Sequence, residues 1–203
     1  MKHLVWLSPI IYFSISWFFP WDKIQWDSTI SISYIFDLLF VTLSCFYYKN
    51  FFNFSNLDIK GGISRVIGVS ILAAISLLIT SLSAIKSPFG YIEHLVLQIL
   101  VLAPIIEEFV FRQGIFIAME KYFKNKNFLL LSNSIFFSLS HMPALFILPE
   151  EFKSFIHIQL VYTFFLGWIC TKARLKNGNV GESIVLHFIF NLFFYFAVSS
   201  QLI

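Results

Sequence analysis

Charge is what this chain has least of. Of its 203 residues only 12% are Asp, Glu, Lys or Arg, about half the ~25% of an ordinary soluble domain, too few to coat a core of this size. The formal net charge of +3 is small, and the lysines sit in separate clusters, which leaves nucleic-acid binding without support. Cysteine is nearly absent: Cys45 and Cys170 fall in different apolar runs, so neither a disulfide framework nor a thiolate metal site is drawn, and both read as buried thiols. A small-x-small cleavage site is missing after the apolar run 4–19, which continues into Pro20-Trp21-Asp22. That run reads as an uncleaved first span.

What the chain has instead is apolar length. Seven candidate spans of about 20 residues lie at roughly 4–19, 30–48, 64–85, 92–118, 128–148, 155–172 and 181–200, the length that crosses ~30 Å of hydrocarbon. Period-2 alternation is absent and open sheet edges cannot face lipid, so the expected fold is all-α, a polytopic transmembrane helical bundle. The first and sixth spans look short for a bilayer. The expectation is one membrane domain over 1–203, with three N-terminal spans in 1–89 and a core in 90–200. The N-terminus and even-numbered loops carry ten of the lysines and arginines, from Lys2 through Lys49, Lys60, Arg65, Lys121, Lys124, Lys126, Lys172 and Arg174 to Lys176, against Lys23, Lys86 and Lys153 on the other side. This bias sets the N-terminus in the cytoplasm and the C-terminus outside. Trp6, Trp17, Trp21, Trp26 and Tyr91 near span ends fit an interfacial belt. The Phe/Ile/Lys/Asn-rich composition and short loops lean towards a bacterial plasma membrane.

The few ionisable groups at depth are gathered after residue 95. Glu107, Glu108 and Arg112 lie in the fourth span, His141 in the fifth, and His187 with Asn191 in the seventh. A charge there costs roughly 2.5–3.5 kcal/mol or more unless paired or hydrated, so each needs a reason to be present. On a helix Glu108 and Arg112 share one face and pair, while Glu107 points about 100° away. Measured from the cytoplasmic ends of their spans at 1.5 Å per residue, Glu107, His141, His187 and Asn191 lie about 18, 20, 10 and 16 Å deep. Three spans therefore offer polar groups at similar height.

A carboxylate stripped of water is a stronger base than an exposed one. Glu107 is placed to activate a water, with His141 holding that water or sharing its proton. His187 and the Asn191 amide are placed to donate to the oxyanion that forms as water attacks a peptide carbonyl. Glu108 and Arg112 then form a structural pair. The ordered set Glu107-Glu108-x-x-x-Arg112, Phe137-x-x-x-His141 and His187-x-x-x-Asn191 resembles the three motifs of the CAAX-protease and bacteriocin-processing (CPBP, or Abi) family of intramembrane proteases. The lead-in Gly178-Asn179-Val180-Gly181-Glu182-Ser183 is similar to that family's approach to its last motif. The resemblance spans about residues 90 to 200 and implies a glutamate-dependent endopeptidase. Glu107 and His141 would activate water, and His187 and Asn191 would form the oxyanion site. The substrate would be a membrane-associated peptide or protein, in a bacterial setting a peptide precursor rather than a prenylated C-terminus.

Other readings stay in view. His141, His187 and Glu107 are a chemically reasonable zinc set, but the His-Glu-x-x-His helix is absent, so the expectation is no cofactor, with zinc as the alternative. A non-catalytic membrane immunity or scaffold protein would use the same cluster structurally. A small transporter would carry a broken-helix inverted repeat, and none is found. Asp37 reads as a polar contact or cavity residue, Glu150-Glu151 as a solvated loop, Glu93-His94 and His157 as interfacial, and Asn177-Gly178-Asn179 as a turn. Pro104 and Gly114 are expected to bend the fourth span.

Overall fold

Every apolar run folds as a helix where the chain is described. The computed structural model describes residues 8–19, 32–47, 58–88 and 98–200. Trp6, Trp21, Trp26, Tyr91, Glu93 and His94 lie outside the described residues, as does the start of the fourth span. Among the described residues seven principal helices follow in order: α1 (Ser8–Phe18), α2 (Ile32–Tyr47), α3 (Ile59–Leu82), α4 (98–120), α5 (Lys126–Leu139), α6 (Lys153–Asn177) and α7 (Gly181–Ser199). Among the described residues there is no strand. Three helical stretches, Lys60–Leu82, Lys126–Ile147 and Glu150–Asn177, are long and apolar enough to cross a membrane, and Gly181–Ala197 is a shorter apolar one.

The exposed surface explains why such helices need lipid. On α3, Ile63, Ile67, Ile71, Ile75 and Ile79 recur every four residues and are all exposed, while Val69, Ala73, Ser76 and Thr80 are buried against the bundle. The two buried hydroxyls return their protons to the helix's own carbonyls, Ser76 to Leu72 and Thr80 to Ser76, each at 2.8 Å. Neither hydroxyl is thereby left without a partner. α5 packs along α6, and α7 packs against both α3 and α6.

The ends are set by local chemistry. Asp58 caps α3 by accepting from the Gly61 amide at 3.2 Å, and Asn125 caps α5 by accepting from Asn127 at 2.9 Å. The left-handed Gly178, φ 73°, ends α6, as the expected turn requires. α6 corrects one expectation: the sixth run is 25 residues long, because its polar ends continue the helix beyond the apolar window.

Two further differences shape the site. α4 contains two π segments, Gln98–Leu102 beside Pro104, which has no N–H to offer the ladder, and Phe109–Ile115 around Gly114. Where a bend is expected, the helix carries two π segments, wide turns of the kind that frequently mark functional sites. The fifth span is not continuous. α5 ends at Leu139, and tight turns run through His141-Met142-Pro143 to the one-turn helix Ala144–Ile147, where Pro143 has no N–H to return to the Leu139 carbonyl.

Candidate active site

α4 presents Glu107 and Glu108 side by side with different fates. Glu108 and Arg112 are both fully buried and stand 3.2 Å apart between Oε1 and Nη1, the pairing that a four-residue spacing predicts. Glu107 is the open one, its side chain 23% exposed. His187 reaches α4 from α7 and lies between the two acids, Nδ1 3.0 Å from Glu108 Oε1 and Nε2 3.9 Å from Glu107 Oε2. A carboxylate can only accept, so Nδ1 carries the proton that Glu108 receives, and Nε2 is the nitrogen turned towards Glu107. Spacing alone does not foresee this bond, because helical angle gives a direction from one helix and not which neighbour it meets.

His141 is held by the turn that ends α5. Its backbone amide bonds Ser138 rather than Phe137, leaving the Phe137 carbonyl to accept from His141 Nδ1 at 3.1 Å and from the Ser140 hydroxyl at 2.6 Å. Nε2 of His141 is therefore the acceptor nitrogen. Glu107 and His187 are the ionisable neighbours that act on this ring electrostatically. The Phe137 ring, fully buried, organises the rest. The Arg112 guanidinium lies 3.9 Å from its centroid, a cation–π contact, and the imidazoles of His141 and His187 stand edge-on to it at 5.3 and 5.7 Å. Gly167 on α6 admits this stack: a Cβ there would meet Phe137 at 3.1 Å, the Ser134 backbone at 3.2 Å and Arg112 at 3.4 Å.

Asn191, one turn after His187, donates its amide to the Ile99 carbonyl at 2.8 Å, within the first π segment. One N–H is thereby used, and the amide carries a second. The other π segment is braced in the same way: the Phe111 carbonyl accepts from Asn133 at 2.8 Å and the Arg112 carbonyl from Arg174 Nε at 2.9 Å. Arg174 corrects its reading as a loop charge. It is buried, with its guanidinium over Phe116 at 4.9 Å. A second missed group sits at the start of α7, where Glu182 accepts from Arg65 Nε at 2.5 Å and Nη2 at 3.0 Å and also from the Asn177 amide. Asn177 in turn accepts from the Asp58 amide at 3.0 Å. Outside the spans, the Gly61 amide and then the neighbouring Arg65 hold the Asp58 carboxyl below the usual carboxylate range.

The structure thus brings Glu107, Glu108, Arg112, His141 and His187 around one aromatic ring, with Asn191 a turn along α7. Glu108, Arg112 and His187 are buried, while Glu107, His141 and Asn191 keep some exposure. Among the described residues, no three of His, Cys, Asp and Glu stand in an arrangement able to hold a metal ion. Of the remaining expectations, Cys170 is buried and free. Glu150 and Glu151 are exposed and paired with Lys153 and Lys86, and Glu151 draws the Lys86 ammonium above its usual range.

Against known families, the model of type II CAAX prenyl endopeptidase Rce1-like proteins matches residues 91–193. The chain belongs to the Rce1-like family. As an Rce1-like protein it is a membrane protease of the CAAX type at the level of the family, acting on a peptide or protein substrate in a membrane. The matched segment runs from the start of the fourth span to two residues past Asn191 and leaves α1, α2 and α3 outside. No curated protein and no solved structure matches this Rce1-like chain.

Proposed function

We propose that the chain is an intramembrane endopeptidase that hydrolyses a membrane-associated peptide with a water activated by Glu107 and His141. The supporting observation is the division of labour at His187: one nitrogen is taken by Glu108, itself balanced by Arg112, and the other faces the partly open Glu107. The fully buried Glu108 and Arg112 fix orientation, and Glu107 and His141 keep the exposure that a water needs.

In this reading Glu107 removes a proton from the attacking water, and His141 Nε2 accepts a hydrogen bond from the same water and aligns it. The oxyanion is met by His187 Nε2–H, in the ring form protonated on both nitrogens, and by the second N–H of Asn191. Glu108 acts through His187 by fixing which way the ring faces, as a buried carboxylate does for a catalytic histidine. The reaction requires no serine or cysteine nucleophile, and the proposal carries no cofactor.

The test is cleavage of membrane-associated peptides, including prenylated CAAX peptides and precursor peptides, by purified protein in chelator-treated liposomes. Wild type is expected to cut after chelation, and Glu107→Gln and His141→Ala to lose activity while unfolding at temperatures near wild type. Activity that returns only with added zinc would move His141 and His187 to ligand roles. Variants that cut as well as wild type would leave the cluster a structural one, as in a scaffold.

A further inference from the structure

His141 has a neighbour that the motifs do not include. Ser140 stands immediately before it, at the point where α5 gives way to tight turns. In a continuing helix the Phe137 carbonyl would accept from the His141 amide, four residues on. That amide goes instead to Ser138 at 3.1 Å. The Phe137 carbonyl is therefore one of the orphans of a helix end, at a depth where an unmet carbonyl is costly. Two side chains meet it, the Ser140 hydroxyl at 2.6 Å and His141 Nδ1 at 3.1 Å. A carbonyl oxygen has two lone pairs, and both are thereby used.

The third side of this triangle sets the state of the imidazole. Ser140 Oγ lies 3.3 Å from His141 Nδ1. A hydroxyl has one proton, and the 2.6 Å contact places it on the Phe137 carbonyl. Towards Nδ1 the serine therefore presents a lone pair. Nδ1 faces two acceptors, the carbonyl and the hydroxyl oxygen, and both favour the neutral ring with its proton on Nδ1 and none on Nε2. Held by a single acceptor, the ring is free to turn about the line from Nδ1 to that oxygen. The second acceptor fixes its plane.

We propose that Ser140 is a positioning residue for the reaction, holding His141 in the tautomer and the plane that turn a bare Nε2 towards the attacking water. The inference rests on the reading of His141 as the residue that aligns this water. Ser140 acts through His141 and is not a nucleophile: a serine that attacks gives its proton to a base, whereas this one gives it to a backbone carbonyl. Ser140 lies within the segment that matches the family and outside the three motifs.

Three variants are compared with wild type in liposomes on a farnesyl-cysteine CAAX peptide, with unfolding curves alongside: Ser140→Ala, Ser140→Thr, which returns the hydroxyl, and His141→Ala. Ser140→Ala is expected to slow kcat by about 10-fold, the worth of one hydrogen bond, with KM unchanged, and Ser140→Thr to stay within about threefold of wild type. Full activity in Ser140→Ala overturns the proposal. A loss that falls on KM, that only follows a lowered unfolding temperature, or that Ser140→Thr fails to restore overturns it too. If His141→Ala cuts as well as wild type, the reading of His141 fails and the proposal with it; if His141→Ala is inactive while Ser140→Ala is unimpaired, the proposal alone falls. An arm independent of activity is the nitrogen NMR spectrum of protein carrying isotope-labelled histidine, in mildly alkaline buffer where imidazoles are neutral. The His141 signals are identified by their absence from His141→Ala. Wild type is expected to show one tautomer with the proton on Nδ1, and Ser140→Ala to show both. A proton on Nε2 in wild type, or one unchanged tautomer in Ser140→Ala, overturns the proposal whatever the substrate.

Discussion

His187 Nδ1 lies 3.0 Å from Glu108 Oε1, so the acid that is closed to solvent holds the histidine of the last motif, and the acid that is open faces that histidine's other nitrogen. Arg112 sits on the same Glu108 oxygen at 3.2 Å. The buried set therefore has two separable duties, charge balance and ring orientation.

Glu108→Gln removes both duties at once. Breaking a buried ion pair from one side costs about 3–5 kcal/mol, and the unfolding temperature in detergent is expected to fall accordingly. Replacing both members, Glu108→Gln with Arg112→Gln, removes the stranded cation and should recover most of that stability. Peptide cleavage is expected to stay low in the double variant, because nothing holds the His187 ring. Recovery of activity along with stability would show that Glu108 serves charge balance alone.

Gly167→Ala tests the close approach of α6 to the central ring. The new methyl would press on the Ser134 backbone, which cannot swing away, as well as on Phe137. Overpacking of this kind costs about 1–3 kcal/mol. A lowered unfolding temperature and reduced cleavage are expected together, whereas a stabilised protein would mean that the helices separate without cost.

Asn191→Ala should lose on two accounts. The partly buried Ile99 carbonyl loses its donor, at up to about 1–3 kcal/mol for an acceptor left unmet. The proposed oxyanion site loses a donor as well, a change that lowers kcat by about 100- to 1000-fold in comparable sites. Kinetics and unfolding on the same preparation separate the two, and full activity in a destabilised Asn191→Ala would remove the residue from the chemistry.

The cap at Asp58 carries a pH dependence. Its folded carboxyl titrates below the unfolded one because the Gly61 amide and Arg65 favour the charged form. Its stabilisation is therefore present above the unfolded value of about 4 and is lost as pH falls through the lower folded value. Asp58→Asn keeps a capping side chain without the charge. Wild type should unfold at higher temperature than Asp58→Asn near pH 6, with the gap closing towards pH 2. A gap that persists in acid would refute the assignment.

The residues of the candidate site were legible because charge at depth is rare: Glu107, Glu108, Arg112, His141 and His187 are conspicuous in apolar runs, and the Glu108–Arg112 spacing named its own pair. What was not legible depends on which helix meets which. The bond from His187 to Glu108, the support of the second π segment by Asn133 and Arg174, and the Tyr12–Asp37 contact are all made between segments far apart in sequence. Arg174 was misread because it lies just past an apolar window that ended at residue 172. The turn at His141 had a readable signal in Pro143, which has no N–H to continue the helix ladder.

The Arg65–Glu182 clamp joins a helix outside the family match to the first turn of the helix carrying His187 and Asn191. Its two members therefore cannot be exchanged independently. A chimera that takes its first three helices from a relative would have to carry a matching partner for Glu182, and a fragment beginning at residue 91 would leave that acid with the Asn177 amide and without the Arg65 cation. That one pair ties the second turn of α3 to the first turn of α7.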